Sequence, residues 1–226
     1  MCGRYTFTQA PDPQQVVLPF EADDIIKPRY NIAPSQWAPI IPDFDAGHIH
    51  YFRWGLIPYW AKDMKIGYKM INARSETVLE KTSFKPSMKR QRCLVLADGF
   101  YEWQKQGKDK QPFRITLASK EIFHMAGLFD RWSHPDGSLI LSYTILTTAP
   151  NALMEPIHNR MPVILDEEGA SRWLDKDEDP EGLTELLKPF PEEEMHAYEV
   201  SKAVGNVKND HEGLIAPIGS QGGLFD

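Results

Sequence analysis

The second residue of the chain is a cysteine, Cys2. Its small side chain permits removal of Met1, after which one residue would present an α-amine and a thiol on adjacent carbons. An α-amine ionises at about 7.7–8.0, so part of it is neutral and nucleophilic near neutral pH. A free thiol, at about 8.5, is partly thiolate as well. Toward an aldehyde such a pair reacts in two steps: the amine forms an imine, and the sulfur then closes a thiazolidine ring. The second step is intramolecular and therefore has a high effective molarity. Against this stands the plainer reading, an incidental cysteine at a frayed chain end.

Four further segments set dense polar groups beside apolar or aromatic ones. Ile71-Asn72-Ala73-Arg74-Ser75-Glu76 reads simply as a loop entering a helix with Ser75 as its cap. In Asp98-Gly99-Phe100-Tyr101-Glu102-Trp103, Glu102 lies between two aromatics. Such surroundings can raise a carboxyl group into acid–base range, although the same pattern serves the exposed side of a strand. Ile157-His158-Asn159-Arg160-Met161-Pro162 carries a lone histidine, a residue type more often structural than catalytic. Ser201-Lys202-Ala203-Val204-Gly205-Asn206-Val207-Lys208-Asn209 read alone is a polar turn.

These residues need a scaffold, and 226 residues of ordinary composition supply one α+β domain. A chain of this length should bury roughly 70–75% of its unfolded surface. The clearest elements lie mid-chain. Cys93–Ala97, Gly99–Trp103, Pro112–Leu117, Ile122–Leu128 and Leu139–Leu146 are apolar or alternating runs separated by turn signals such as His134-Pro135-Asp136-Gly137. Closely spaced strands of this kind predict an antiparallel, hairpin-linked sheet or barrel-like body rather than βαβ winding. Tyr51–Trp54 and Pro39–Ile41 predict shorter strands. Helical patterns flank the body at Ser75–Lys81, Asn151–Ile157, Glu167–Leu174 and Glu181–Leu187, and Asp12-Pro13 predicts a short helix through Val17 and Leu18.

Composition excludes several classes. No apolar run approaches the ~20 residues of a membrane span, and the first residues lack the pattern of a signal peptide. Cys2 and Cys93 are the only cysteines, so no disulfide framework is expected and a reducing cytoplasm is the default. Phosphate-loop, dinucleotide and zinc-protease motifs are missing, and no cofactor or metal is expected. The formal net charge of −7 argues against coating nucleic acid by charge alone. That average hides an asymmetry: residues 53–92 carry ten Lys/Arg against three Asp/Glu, while residues 166–226 carry five against sixteen.

Taken in order, the chain resembles the SOS-response-associated peptidase (SRAP) family, the abasic-site processing proteins. The resemblance runs through Met1-Cys2-Gly3-Arg4-Tyr5, Arg29-Tyr30-Asn31-Ile32-Ala33-Pro34, Trp54-Gly55-Leu56-Ile57-Pro58, Asn72-Ala73-Arg74-Ser75-Glu76, Gly99–Trp103, Ile157–Pro162 and Val204-Gly205-Asn206-Val207. It covers residues 1–219 and leaves 220–226 as a tail. It implies an SRAP fold in a monomer, and a mature Cys2 that forms a covalent thiazolidine with the ring-opened aldehyde of an abasic site in single-stranded DNA. Asn72 would orient the Cys2 terminus, Glu102 would shuttle protons during imine formation and ring closure, and His158 would assist opening of the sugar. Arg4 and Arg74 would hold phosphates, and Asn31, Pro34, Trp54 and Trp60 would complete the DNA-binding set, with Pro34 and the two tryptophans as surfaces or wedges for unstacked bases. The peptidase name would reflect self-processing.

Two other readings compete. A cysteine peptidase or N-terminal-nucleophile hydrolase would use Cys2 as thiolate and His158 as base. A noncovalent nucleic-acid binder would use the basic block and exposed aromatics alone. The covalent reading leads, since it uses every motif.

Overall fold

The computed structural model of the chain describes residues 2–9, 16–17, 27–119 and 121–219. Among these the strands are, in chain order, β1 (Arg4–Phe7), β2 (Val16–Val17), β3 (Arg29–Ile32), β4 (Trp37–Pro42), β5 (Ile49–Trp54), β6 (Asn72–Arg74), β7 (Arg92–Ala97), β8 (Gly99–Gln106), β9 (Asp109–Leu117), β10 (Phe123–Ser133), β11 (Leu139–Thr148), β12 (Met161–Pro162), β13 (Ile164–Leu165) and β14 (Met195–Glu199). Two α-helices, α1 (Lys85–Arg90) and α2 (Glu167–Leu174), and several 3₁₀ turns lie outside the sheets.

Five strands close on themselves. β5, β4, β7, β10 and β11 pair in that order, and β11 returns to β5. Four of these pairings are antiparallel, whereas the closing one is parallel, through Ser142 with Arg53 and Tyr143 with Trp54. Closure satisfies both edges of the sheet and packs the interior with side chains. A second, wholly antiparallel sheet has the order β14-β9-β8-β1-β3. The chain crosses from barrel to sheet at Asp98, between β7 and β8, where its carboxylate accepts from the Thr8 backbone N–H at 2.6 Å and from Arg114 Nη2 at 3.2 Å.

The sequence pattern accounts for these placements. All six positions of β7 are buried, as expected of a strand covered on both faces by the barrel interior and by α2. On α2, Asp166 caps the N-terminus by accepting from Gly169 N at 2.7 Å, acidic residues fill the first turn, and Arg172 sits in the last. Its buried Trp173 donates Nε1–H to the carbonyls of Cys93 and Gly127.

The α+β, barrel-like single body and the mid-chain strands follow the sequence expectation. Parallel pairs (β11 with β5 and β6, β2 with β5) depart from it, because they join segments distant in the chain. The segments 75–81 and 151–157 form 3₁₀ and simple turns rather than helices, and 181–187 is a 3₁₀ turn. Arg74, not Ser75, occupies the cap position of its turn. Val16–Val17 is a strand, and the remainder of the helix expected from Asp12-Pro13 through Leu18 lies outside the described residues, as do Met1 and the 220–226 tail.

Candidate active site

Cys2 lies between the two sheets. It precedes β1 of the smaller sheet, and its side chain is fully buried in a cluster with Tyr5, Ile32, Trp54 and Tyr143. From the barrel side, Asn72 on β6 donates Nδ2–H to the Cys2 carbonyl at 2.9 Å. β6 is held by parallel pairing of Asn72 with Ile145 on β11. The Asn72 Oδ1 atom is buried with no hydrogen-bond partner among the described residues. Cys2 is thus fastened rather than frayed.

Glu102 approaches from β8. The ladder between β1 and β8 pairs Arg4 with Tyr101, which brings the residues just before Arg4 alongside Glu102. Glu102 is 2% exposed, and burial pushes its carboxyl up to about 7. A carboxyl poised there can give or take a proton at neutral pH. Burial also drives the Cys2 thiol far above the usual thiol range, and the charge of Glu102 acts in the same direction. The resting thiol is therefore protonated.

His158 comes from the excursion between β11 and β12. Its Nε2 lies 3.8 Å from Glu102 Oε2. The Arg160 backbone N–H donates to His158 Nδ1 at 3.1 Å, which leaves Nε2 to carry the proton toward Glu102. Burial lowers the histidine below its ordinary range and favours this neutral form. The excursion is anchored by Arg160, whose guanidinium meets both carboxylate oxygens of Glu76 at 2.5 and 2.9 Å and the Thr147 carbonyl at 2.5 Å. Two motifs separated by more than 80 positions are thereby joined, a coupling that no local sequence signal announces.

The remaining expected residues divide. Arg74 and Trp60 are exposed and Pro34 is half-buried, in a tight turn whose next residue, Ser35, has φ 73°. Arg4 is half-buried and donates Nη1–H to the Val204 carbonyl at 3.3 Å. Two corrections concern side chains with no free surface. Trp54 is 0% exposed, stacked on Tyr143, edge-on to Tyr5 and hydrogen-bonded to the Ile71 carbonyl, so no face is open to a base. Asn31 is likewise buried, its Nδ2 serving the carbonyls of Val204, Asn206 and Asn209 at 2.8–3.1 Å. It shapes the 204–209 turn against which Arg4 rests. The basic block is also not one surface: Arg53 and Arg92 are buried, and Arg92 donates to the carbonyls of Trp173, Met88 and Asp175.

Among the described residues no His/Cys/Asp/Glu group could hold a metal ion, and no helix is long and apolar enough to cross a membrane.

A family model described as SOS response associated peptidase (SRAP) matches residues 1–207. The chain is 46% identical over 224 residues to the abasic site processing protein YoqW of Bacillus subtilis (strain 168), covering 95% of this chain and 99% of that one. It is 34% identical over 265 residues to the abasic site processing protein HMCES of Xenopus tropicalis, covering 96% of this chain and 78% of that one. Among solved structures, a protein from Bacteroides thetaiotaomicron matches with a TM-score of 0.73 and 34% identity, over 76% of this chain and 78% of the other.

Proposed function

The chain belongs to the SOS response associated peptidase (SRAP) family, and from that premise we propose that it captures abasic sites in single-stranded DNA as a covalent thiazolidine on Cys2 after Met1 is removed. The observation that carries this reading is the seating of Cys2 between the amide of Asn72 and the carboxyl of Glu102.

The chemistry runs through the residues of the site. The closed abasic sugar must first open; His158 passes a proton between the C1 hydroxyl and the ring oxygen, and the aldehyde results. The Cys2 amine adds to the aldehyde carbon, positioned through Asn72, whose buried Oδ1 can accept one amine hydrogen. Neutral Glu102 protonates the carbinolamine hydroxyl, which leaves as water to give the imine. The imine forms in its protonated state, and the glutamate that remains accepts the thiol proton as sulfur adds to the iminium carbon, so the ring closes with the nitrogen keeping its hydrogen. A carboxyl ionising at about 7 suits both halves of this cycle. An imine alone permits β-elimination and strand cleavage; the carbon–sulfur bond removes it before that step. Arg4, Arg74, Pro34 and Trp60 are the DNA contacts of this reading, with phosphates on the arginines.

The peptidase alternative asks for a thiolate with an adjacent histidine. Burial of the Cys2 thiol and the direction of His158 toward Glu102 favour the aldehyde chemistry instead. The test is incubation with an abasic single-stranded oligonucleotide without reductant, followed by heat and denaturing electrophoresis. Wild-type protein should give a heat-stable adduct, and Cys2→Ala and Cys2→Ser should not. An equal adduct with Cys2→Ala would refute the proposal, and turnover of peptides lost on the same substitution would favour the alternative.

A further inference from the structure

The buried cluster that holds Cys2 also contains two phenols that the chemistry above does not use. Tyr5, on β1, and Tyr143, on β11, meet hydroxyl to hydroxyl at 2.6 Å, and both side chains are fully buried. Trp54 fixes the pair, stacked on Tyr143 and edge-on to Tyr5. The two hydroxyls carry two hydrogens but share one bond, and neither makes another hydrogen bond among the described residues. One hydroxyl hydrogen is therefore unspent inside an apolar cluster, where an unused donor is costly and calls for a reason. Trp54 cannot stand in for it, since its Nε1–H is taken by the Ile71 carbonyl.

Sulfur is the acceptor at hand. Tyr5 feels the charge of Cys2, whereas Tyr143 feels that of Cys93 ahead of Cys2, so the four groups form a row with Tyr5 toward Cys2. Their mutual bond acts to lower Tyr5 and to raise Tyr143, the signature of Tyr143 donating and Tyr5 accepting. The unspent hydrogen thus belongs to Tyr5, three residues after Cys2 in the chain. The Cys2 thiol itself only donates, weakly, to the Arg4 carbonyl at 3.8 Å, which leaves its sulfur lone pairs open. Desolvation is what chiefly opposes charge on that sulfur. An oriented O–H is the means by which a dry site supports such charge.

We propose that Tyr5, polarised by Tyr143, donates its hydroxyl hydrogen to the Cys2 sulfur as the thiazolidine ring closes. The inference rests on the proposed lesion chemistry and assigns control of its second step. Glu102 takes the thiol proton, the carbon–sulfur bond forms, the iminium electron pair passes to nitrogen, and the phenol keeps its proton throughout. Imine formation does not involve the sulfur, so the pair governs how often the imine is trapped before β-elimination.

The test variant is Tyr5→Phe/Tyr143→Phe. It removes both partners of the bond at nearly constant shape and should melt close to wild type. On an abasic single-stranded oligonucleotide, imine trapped by borohydride at early times should form at the wild-type rate. Heat-stable adduct should then appear about tenfold more slowly, with more cleaved strand, as expected for one lost charge-assisted hydrogen bond. Tyr143→Phe alone keeps the donor without its polariser and should fall between the two. Wild-type partition in the double variant overturns the proposal, and so does imine formation slowed in step with closure, the mark of a merely structural role. A second arm needs no DNA. Modification of Cys2 by methyl methanethiosulfonate at pH 9, read by peptide mass mapping, measures how readily its sulfur takes on charge. The double variant should react several-fold more slowly, and an equal or faster rate overturns the assignment. If wild-type protein forms neither imine nor adduct while this rate difference holds, the lesion chemistry fails and the contact to sulfur survives.

Discussion

Asn72 donates its side-chain amide to the main-chain carbonyl of Cys2 across 2.9 Å, joining the barrel to the start of the chain over 70 positions. Asn72→Ala removes that donor and the buried Oδ1 together. The expected outcome is a fall of about tenfold in the rate of adduct formation, with stability lowered by only about 1 kcal/mol, the usual net contribution of one hydrogen bond. Quenched-flow kinetics with parallel urea melts separate the two effects.

Glu102 links pH to stability with a definite sign. Its carboxyl ionises near 7 in the folded protein and near 4.5 in the unfolded chain. The folded state therefore holds the extra proton between these values, and stability from this group is full below about 4.5 and lost as pH rises through 7. Glu102→Gln abolishes the loss. Thermal melts should show the variant more stable than wild type at pH 8, by at most about 3 kcal/mol, and level with it at pH 4. Its adduct formation should nevertheless drop by about 100-fold, since proton transfer is removed.

The Glu76–Arg160 pair holds the turn that carries His158. Half the Glu76 side chain faces solvent, so Glu76→Gln should change stability by less than about 1 kcal/mol. Release of the Arg160 guanidinium loosens the backbone N–H that fixes the His158 tautomer. The rate of adduct formation should therefore fall several-fold, and the drop should appear on substrates whose sugar must open, not on a free small aldehyde.

Asp210 receives three donors from β3: Arg29 Nε at 2.5 Å, Tyr30 N–H at 2.6 Å and Asn31 N–H at 3.1 Å. With Asn31 it fastens the 204–210 segment beneath Arg4. Asp210→Ala leaves two backbone donors without their acceptor and should cost about 2 kcal/mol. Hydrogen exchange should rise in residues 201–215 before it rises in the barrel.

How far the sequence reaches is visible in particular residues. The apolar run of β7 and the capped helix α2 are written in local patterning, and both fall where expected. Strands β1, β3 and β14 carry no clear local signal, because each is short and gains its order only from partners remote in sequence. The same reason hides the closing parallel pair of β5 and β11. Of the site, the residue types at Cys2, Asn72, Glu102 and His158 could be chosen from motifs, and the fold does bring them together. What the motifs could not distinguish was tryptophan from tryptophan: Trp54 fills the core and Trp60 faces solvent, a difference set by whether the strand or the loop holds the ring. Asn31, expected among the DNA contacts, and Arg92, counted in the basic block, instead tether main-chain carbonyls. Nor could the chain's −7 charge be read as a single property, since part of its basic block, Arg53 and Arg92, is interior and part, Lys62, Lys65 and Lys69, is exposed.

The most direct test of covalent capture is an intact-mass measurement of the protein before and after incubation with an abasic single-stranded oligonucleotide, without reductant. The starting mass should lack Met1, and incubation should give a species equal to protein plus unbroken oligonucleotide less one water, absent altogether for Cys2→Ala. An unchanged protein mass, or the same adduct on Cys2→Ala, would contradict it.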